Sequence, residues 1–181
     1  QVADLLNDME PDDRTAFLEE LPGEVAQRLM QLLTPDNRAV ATRLLGYPED
    51  SIGRLMTPEY VAVRPHFTVE ETLAHIRRFG HDSETLNVIY VVDDKWRLLD
   101  GLRIREVILA SPEQRISDLM DYKYDSLNAF DDQEAAVAAF KKYDRVVLPV
   151  VDTKGILLGI VTVDDILDIA EEEGTEDFQR F

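Results

Sequence analysis

LPVVDTKGILL, from Leu148 to Leu158, repeats IYVVDDKWRLL, from Ile89 to Leu99, and this pair of segments decides the fold. Each is an apolar run, a polar break and a second apolar run. The pattern predicts a buried strand from Val146 to Val151, a turn from Asp152 to Gly155 and a return strand from Ile156 to Val161. The two segments align without a gap, Leu148 in the place of Ile89 and Leu158 in the place of Leu99.

Upstream the repetition continues in a different register. IGRLMTPEY (Ile52 to Tyr60) matches ISDLMDYKY (Ile116 to Tyr124). That register runs on through Val63/Leu127, Glu70/Glu134, Ile76/Phe140 and Phe79/Tyr143 before the first copy inserts five residues. Thr68 with Glu71 makes a capping box for a helix in copy one. Asp132 is placed to cap the matching helix through Lys142, and a last helix begins near Val163. Each copy therefore reads strand, helix, strand, turn, strand, helix.

Residues 1–50 have a different texture. Pro11, Pro22 and Pro35 each open a segment of about a dozen residues with apolar side chains at helical spacing, such as Val25, Leu29 and Leu32. Helices this short need a neighbour to pack on. The predicted class is α+β: a short α-helical domain fragment over 1–50, a first β-α-β-β-α repeat over 51–112 and a second over 113–173. Residues 174–181 would begin a connecting helix.

The 181 residues carry a net charge of −18 and no cysteine. The charge argues against a nucleic-acid binder, whose affinity rests on Lys and Arg meeting phosphate, and suits cations or basic partners. Solubility accounts for it equally well. Without cysteine there is no disulfide, thiol nucleophile or thiolate metal site. No apolar run approaches the roughly 18 residues of a membrane span. The three histidines show no paired-ligand spacing, and neither a phosphate-cradling glycine loop nor a nucleophile elbow is present. Nothing suggests an enzyme. Because the chain begins at Gln1, it reads as a piece of something longer.

The charge is concentrated. From Asp164 to Asp177 there are eight carboxylates in fourteen residues and no Lys or Arg. Two carboxylates about 6 Å apart repel by roughly 3 kcal/mol at an effective dielectric near 20. An acidic face of this kind either lies in solvent or meets a cation. Asp165, Asp168 and Glu172 share one helical stripe. Early acidic residues also suit the helix dipole.

The L-M-(T/D) openings, LPVVD and GIVTVDD together resemble a tandem pair of cystathionine-β-synthase (CBS) domains. LMTPEYVAV, YVVDDK, LPVVD and GIVTVDDILDIAEEEGTEDF are similar to the cytosolic region of MgtE-type bacterial magnesium transporters. That resemblance is strong over the two repeated copies and looser over residues 1–50. It implies a Mg²⁺-sensing regulatory region at the cytoplasmic face of the inner membrane. It also implies a parallel CBS homodimer, a connecting helix and a transmembrane domain outside this chain. Mg²⁺ would bridge acidic faces and close the module over the pore.

Carried over by resemblance, the contacts between the second CBS domain and the connecting helix are Asp132, Glu134, Asp144, Asp168, Glu176 and Asp177. The contact with the N-terminal domain is Asp165 facing Asp12 or Asp13, and Glu173 is a further metal candidate.

A competing ligand is ATP or another adenine nucleotide. Many CBS pairs hold its ribose with G-h-x-(S/T)-x-x-D, present here as Gly159, Thr162 and Asp165. Copy one departs from it with Asp100, Arg103 and Glu106; Glu106 could still hold a ribose and Arg105 a phosphate. Val88 stands where an adenine-stacking aromatic is expected. Trp96, at the position of Gly155, is read as a packing or partner contact.

Overall fold

The computed structural model describes residues 1–173, apart from the side chains of residues 12, 43, 82 and 170–173. Four helices come first: α1 (Val2–Asp8), α2 (Pro11–Glu20), α3 (Gly23–Leu32) and α4 (Pro35–Leu44). Pro11 and Pro35 occupy first helical positions, where a missing N–H costs nothing, and Pro22 precedes α3. Leu6, Leu18, Leu33 and Ala41 form their core.

The four helices are two related pairs. PDDR (Pro11–Arg14) and PDNR (Pro35–Arg38) begin the second helix of each. Arg14 Nη1 donates to the carbonyls of Leu6 and Asn7, at 3.5 and 3.4 Å, at the end of α1. Arg38 donates to Met30 and Gln31, at 3.2 and 3.4 Å, at the end of α3. A fixed cation at a helix C-terminus satisfies orphan carbonyls and opposes the dipole.

The two copies follow. Copy one contains β1 (Ala62–Val63), α5 (Val69–Phe79), β2 (Val88–Val92), β3 (Leu98–Arg103) and α6 (Ile104–Leu109). A short α7 (Ile116–Leu119) leads into copy two, with β4 (Leu127–Asn128), α8 (Gln133–Tyr143), β5 (Val147–Val151), β6 (Leu157–Thr162) and α9 (Val163–Glu173). Each makes a three-stranded sheet with one parallel and one antiparallel pairing. A bulge at Val91/Val92 recurs at Val150/Val151, the equivalent position of copy two, so the repeat extends to a backbone irregularity. The capping box at Thr68 and the Asp132 cap both form. Val146 stays outside its strand and is exposed.

Each copy is completed by the segment that opens the other. Ile52 lies in the core of copy two with Phe140, Val150 and Ile166, while Ile116 lies in the core of copy one with Val63, Val91 and Val107. The Ile52 N–H donates to Asp131 at 2.9 Å, and the Ile116 N–H donates to Phe67 at 2.8 Å. A third core, with Tyr60, Tyr90, Trp96, Leu98, Leu157 and Ile160, is shared between the sheets.

The helical domain rests on this pair. Gln27 and Gln31 of α3 both donate to the Pro58 carbonyl at 2.8 Å. Arg38 pairs with Glu59 at 3.1 Å, and Arg64 pairs with Glu24 at 3.2 Å. Gly23 lies so close to Trp96 that a Cβ there would stand 3.0 Å from the Trp96 Cβ. Trp96 is 6% exposed. It is a packing residue, as expected from the sequence.

Candidate functional site

Two regions bear on function: the cleft between the copies and the acidic ends of α8 and α9. The cleft encloses about 550 Å³. Copy one lines it with Val88, Tyr90, Arg105 and Glu106; copy two adds Asp144 and Arg145. Arg105 and Glu106 are exposed on α6, and both line the cleft. Tyr90 was not foreseen. Its ring is 2% exposed, and its hydroxyl is buried without a hydrogen-bond partner among the described residues. Burial pushes the phenol pKa upward, so the hydroxyl keeps its proton. Tyr124 and Arg145 also line the cleft, and only the repeat's fold brings them opposite α6.

The two copies of the ribose motif differ in structure as in sequence. In copy two, Thr162 ends β6 and Asp165 lies in the first turn of α9. Asp165 Oδ2 accepts from the Thr162 hydroxyl at 3.0 Å and from its N–H at 3.3 Å. Thr57 exchanges two backbone hydrogen bonds of 2.9 Å with Ile160, passing over Gly159. A Cβ on Gly159 would stand 2.7 Å from the Thr57 carbonyl oxygen, which is why glycine is required.

In copy one the same crossing is made through a side chain. Asp100, at the position of Gly159, is 1% exposed. Its carboxylate accepts from the N–H groups of Gly101, Asp121 and Tyr122 at 2.8, 3.0 and 3.1 Å. Asp100 is therefore a structural carboxylate that replaces a backbone bridge.

Of the metal candidates, Asp132 caps α8 and accepts from the Glu134 N–H at 2.9 Å. Glu134 is exposed in the first turn of α8. Asp144 closes the same helix in a left-handed conformation with φ 49°. At 1.5 Å per residue the twelve steps along α8 separate Asp132 from Asp144 by about 18 Å. A single ion cannot touch both. Asp168 is exposed on α9, which packs beside α8 through the core of Phe140 and Ile166. Asp13 is exposed on α2. Glu176 and Asp177 lie outside the described residues, as do the side chains of Asp12 and Glu173. Among the described residues no three His, Asp or Glu side chains converge to hold an ion.

Residues 52–113 and 116–172 match the CBS-domain family model, and residues 1–50 match that of the MgtE intracellular N domain. The chain is 49% identical over 154 residues to the magnesium transporter MgtE of Thermus thermophilus, covering 85% of this chain and 34% of that protein. It is 35% identical over 176 residues to the Bacillus subtilis MgtE, covering 97% of this chain and 39% of that protein. The chain thus spans little more than a third of the curated relatives it matches. A solved cytosolic domain of the Mg²⁺ channel MgtE in complex with ATP is 40% identical, with a TM-score of 0.69, covering 92% of this chain and 78% of that one. The soluble part of a magnesium transporter matches at 28% identity with the same TM-score, covering 96% of this chain and 73% of that one.

Proposed function

The chain belongs to the CBS-domain family, with an MgtE-type N domain ahead of its CBS pair, and from that premise we propose that it is the Mg²⁺-sensing regulatory region of a magnesium transporter or channel. The observation that carries this reading is the acidic α9, which has no basic residue in its last turn and packs through the core of Phe140 and Ile166 against α8, a helix that itself opens with Asp132 and Glu134. Magnesium prefers six oxygens, keeps several waters and needs only one or two carboxylates per contact. Acidic faces a hydrated ion apart repel without Mg²⁺ and attract through it.

Asp132, Glu134 and Asp168, with Glu176 and Asp177, would serve one such bridge. Asp144 serves a second, and Asp165 with Asp12 or Asp13 a third; Glu173 extends the acidic face. Several weak sites acting together supply the differential affinity that closure requires. In the full protein, closure would be transmitted by a connecting helix to a transmembrane domain and shut the pore. On this reading the chain lies at the cytoplasmic face of the membrane. Ile108 and Leu109 on α6 and Leu167 on α9 are 59%, 72% and 43% exposed, apolar surface suited to a CBS homodimer.

The test is the thermal midpoint of the chain against MgCl₂, with ionic strength held constant by KCl. Linkage predicts a saturating rise at millimolar Mg²⁺ that Asp165→Asn with Asp168→Asn reduces. A midpoint that follows KCl alone refutes the sensing role.

A second reading, adenine-nucleotide binding, is favoured by the Tyr90 hydroxyl buried at the 550 Å³ cleft beside Arg105 and Glu106. ATP titrated into the chain should bind with an affinity that Arg105→Gln lowers about tenfold, the effect of one charge-assisted hydrogen bond.

A further inference from the structure

A second cavity, of about 370 Å³, lies between the helical domain and copy one. Its electrostatics run against those of the molecule. The chain carries a net charge of −18, yet three guanidinium groups line this cavity: Arg28 from α3, Arg64 after β1 and Arg78 from α5. One carboxylate, Glu24, accompanies them. It bridges Arg28 and Arg64 with contacts of 3.2 Å each. Three positive charges less one negative leave a surplus of two.

The arginines are held over aromatic faces. Arg64 stands 4.9 Å from the Trp96 ring centre, and Arg28 and Arg78 stand 5.5 and 5.1 Å from that of Phe79. Glu24 takes one Nη2 group from each of Arg28 and Arg64, and the remaining guanidinium N–H groups can meet an oxyanion. His75, half-buried between Phe67 and Phe79 with ring centres 5.9 and 4.7 Å away, completes the wall. The Gln27 and Gln31 contacts to Pro58 fix the distance between the two domains at this seam.

We propose that this seam is an anion site for a small phosphate-bearing ligand, which would hold the helical domain against copy one. A phosphate monoester carries about −1.5 to −2 charges at neutral pH and matches the surplus. Arginine forks bind phosphate oxygens in pairs. The cavity is larger than a phosphate group, and Phe67, Phe79 and Trp96 offer its remaining volume an apolar wall. The site is separate from the cleft between the copies and requires no Mg²⁺.

The experiment is calorimetric titration of the Mg²⁺-free chain with inorganic phosphate and, in a second arm, with AMP. Hydrogen exchange then locates each ligand. Phosphate should bind saturably, protect amides of α3 and α5, and lose about tenfold in affinity with Arg28→Gln or Arg78→Gln. Both arginines are exposed, so these variants keep the fold. AMP binding more tightly than phosphate at the seam identifies an organic phosphate as the ligand; equal affinities identify the phosphate group alone. Either result supports the site. Absence of saturable binding, or protection confined to α6 and residues 144–149, overturns it.

Discussion

Trp96 and Gly155 hold the same position of the repeat, and the carbonyl of each accepts from the return strand of the other copy. The Leu157 N–H donates to the Trp96 carbonyl at 3.0 Å, and the Leu98 N–H donates to the Gly155 carbonyl at 2.9 Å. Both turns need a left-handed residue, with φ 66° at Trp96 and 84° at Gly155. Copy two meets that need with glycine. Copy one places a tryptophan there, and its ring reaches the helical domain at Gly23 while its Nε1 donates to the Tyr60 hydroxyl at 2.8 Å.

Trp96→Gly relieves a backbone strain of about 1–2 kcal/mol and removes a buried ring whose loss costs about 3–5 kcal/mol. The net expectation is a destabilisation of about 1–4 kcal/mol in urea unfolding. Gly155→Ala meets open space and costs only the conformational penalty, about 1 kcal/mol. An unchanged or increased stability of Trp96→Gly would show that the ring contributes nothing to the docked domain.

Gly159→Ala forces a methyl group against the Thr57 carbonyl, which two backbone bonds pin in place. Overpacking of this kind costs about 1–3 kcal/mol. The midpoint of thermal unfolding reads it directly, and an unchanged midpoint would mean that the crossing strand can shift freely.

Asp100→Asn keeps the shape of the side chain and replaces one acceptor oxygen by an NH₂ group. The present carboxylate serves three N–H groups through both oxygens. The variant leaves at least one of them facing a donor, at a cost of about 1–3 kcal/mol. Exchange of the Asp121 and Tyr122 amides should quicken beyond what the global stability change explains; unaltered local protection would contradict the assigned bonds.

His75 gives the seam a pH dependence. Burial first, and then the nearby Arg28, hold its pKa below the usual 6.5. The unfolded chain therefore binds a proton that the folded chain resists. Stability from this group is complete above pH 6.5 and declines as pH falls through the folded pKa. The thermal midpoint should drop on acidification below pH 6.5, and His75→Gln should flatten that part of the profile. A variant as acid-sensitive as the parent in this window would assign the loss to other groups.

Much of this architecture is legible in the amino-acid pattern. The two registers of the repeat, the strand pairs around Asp93 and Asp152, the caps at Thr68 and Asp132 and the start of α9 at Val163 all depend on local chemistry. β-Branched runs, turn residues and capping side chains act over a few residues, so they are written along the chain. Membership of the family is legible for the same reason, because the repeated segments carry it.

What only the tertiary structure decides is which residues meet. Ile52 reads as the start of copy one and is buried in copy two; Asp100 reads as a damaged ribose motif and is the bridge to Asp121 and Tyr122. Tyr90 meets the cleft, and Arg28 meets Arg64 and Arg78, through the packing of segments far apart in the chain. The free energy of these contacts depends on burial and on distance in space. Neither quantity is a property of any short stretch of sequence.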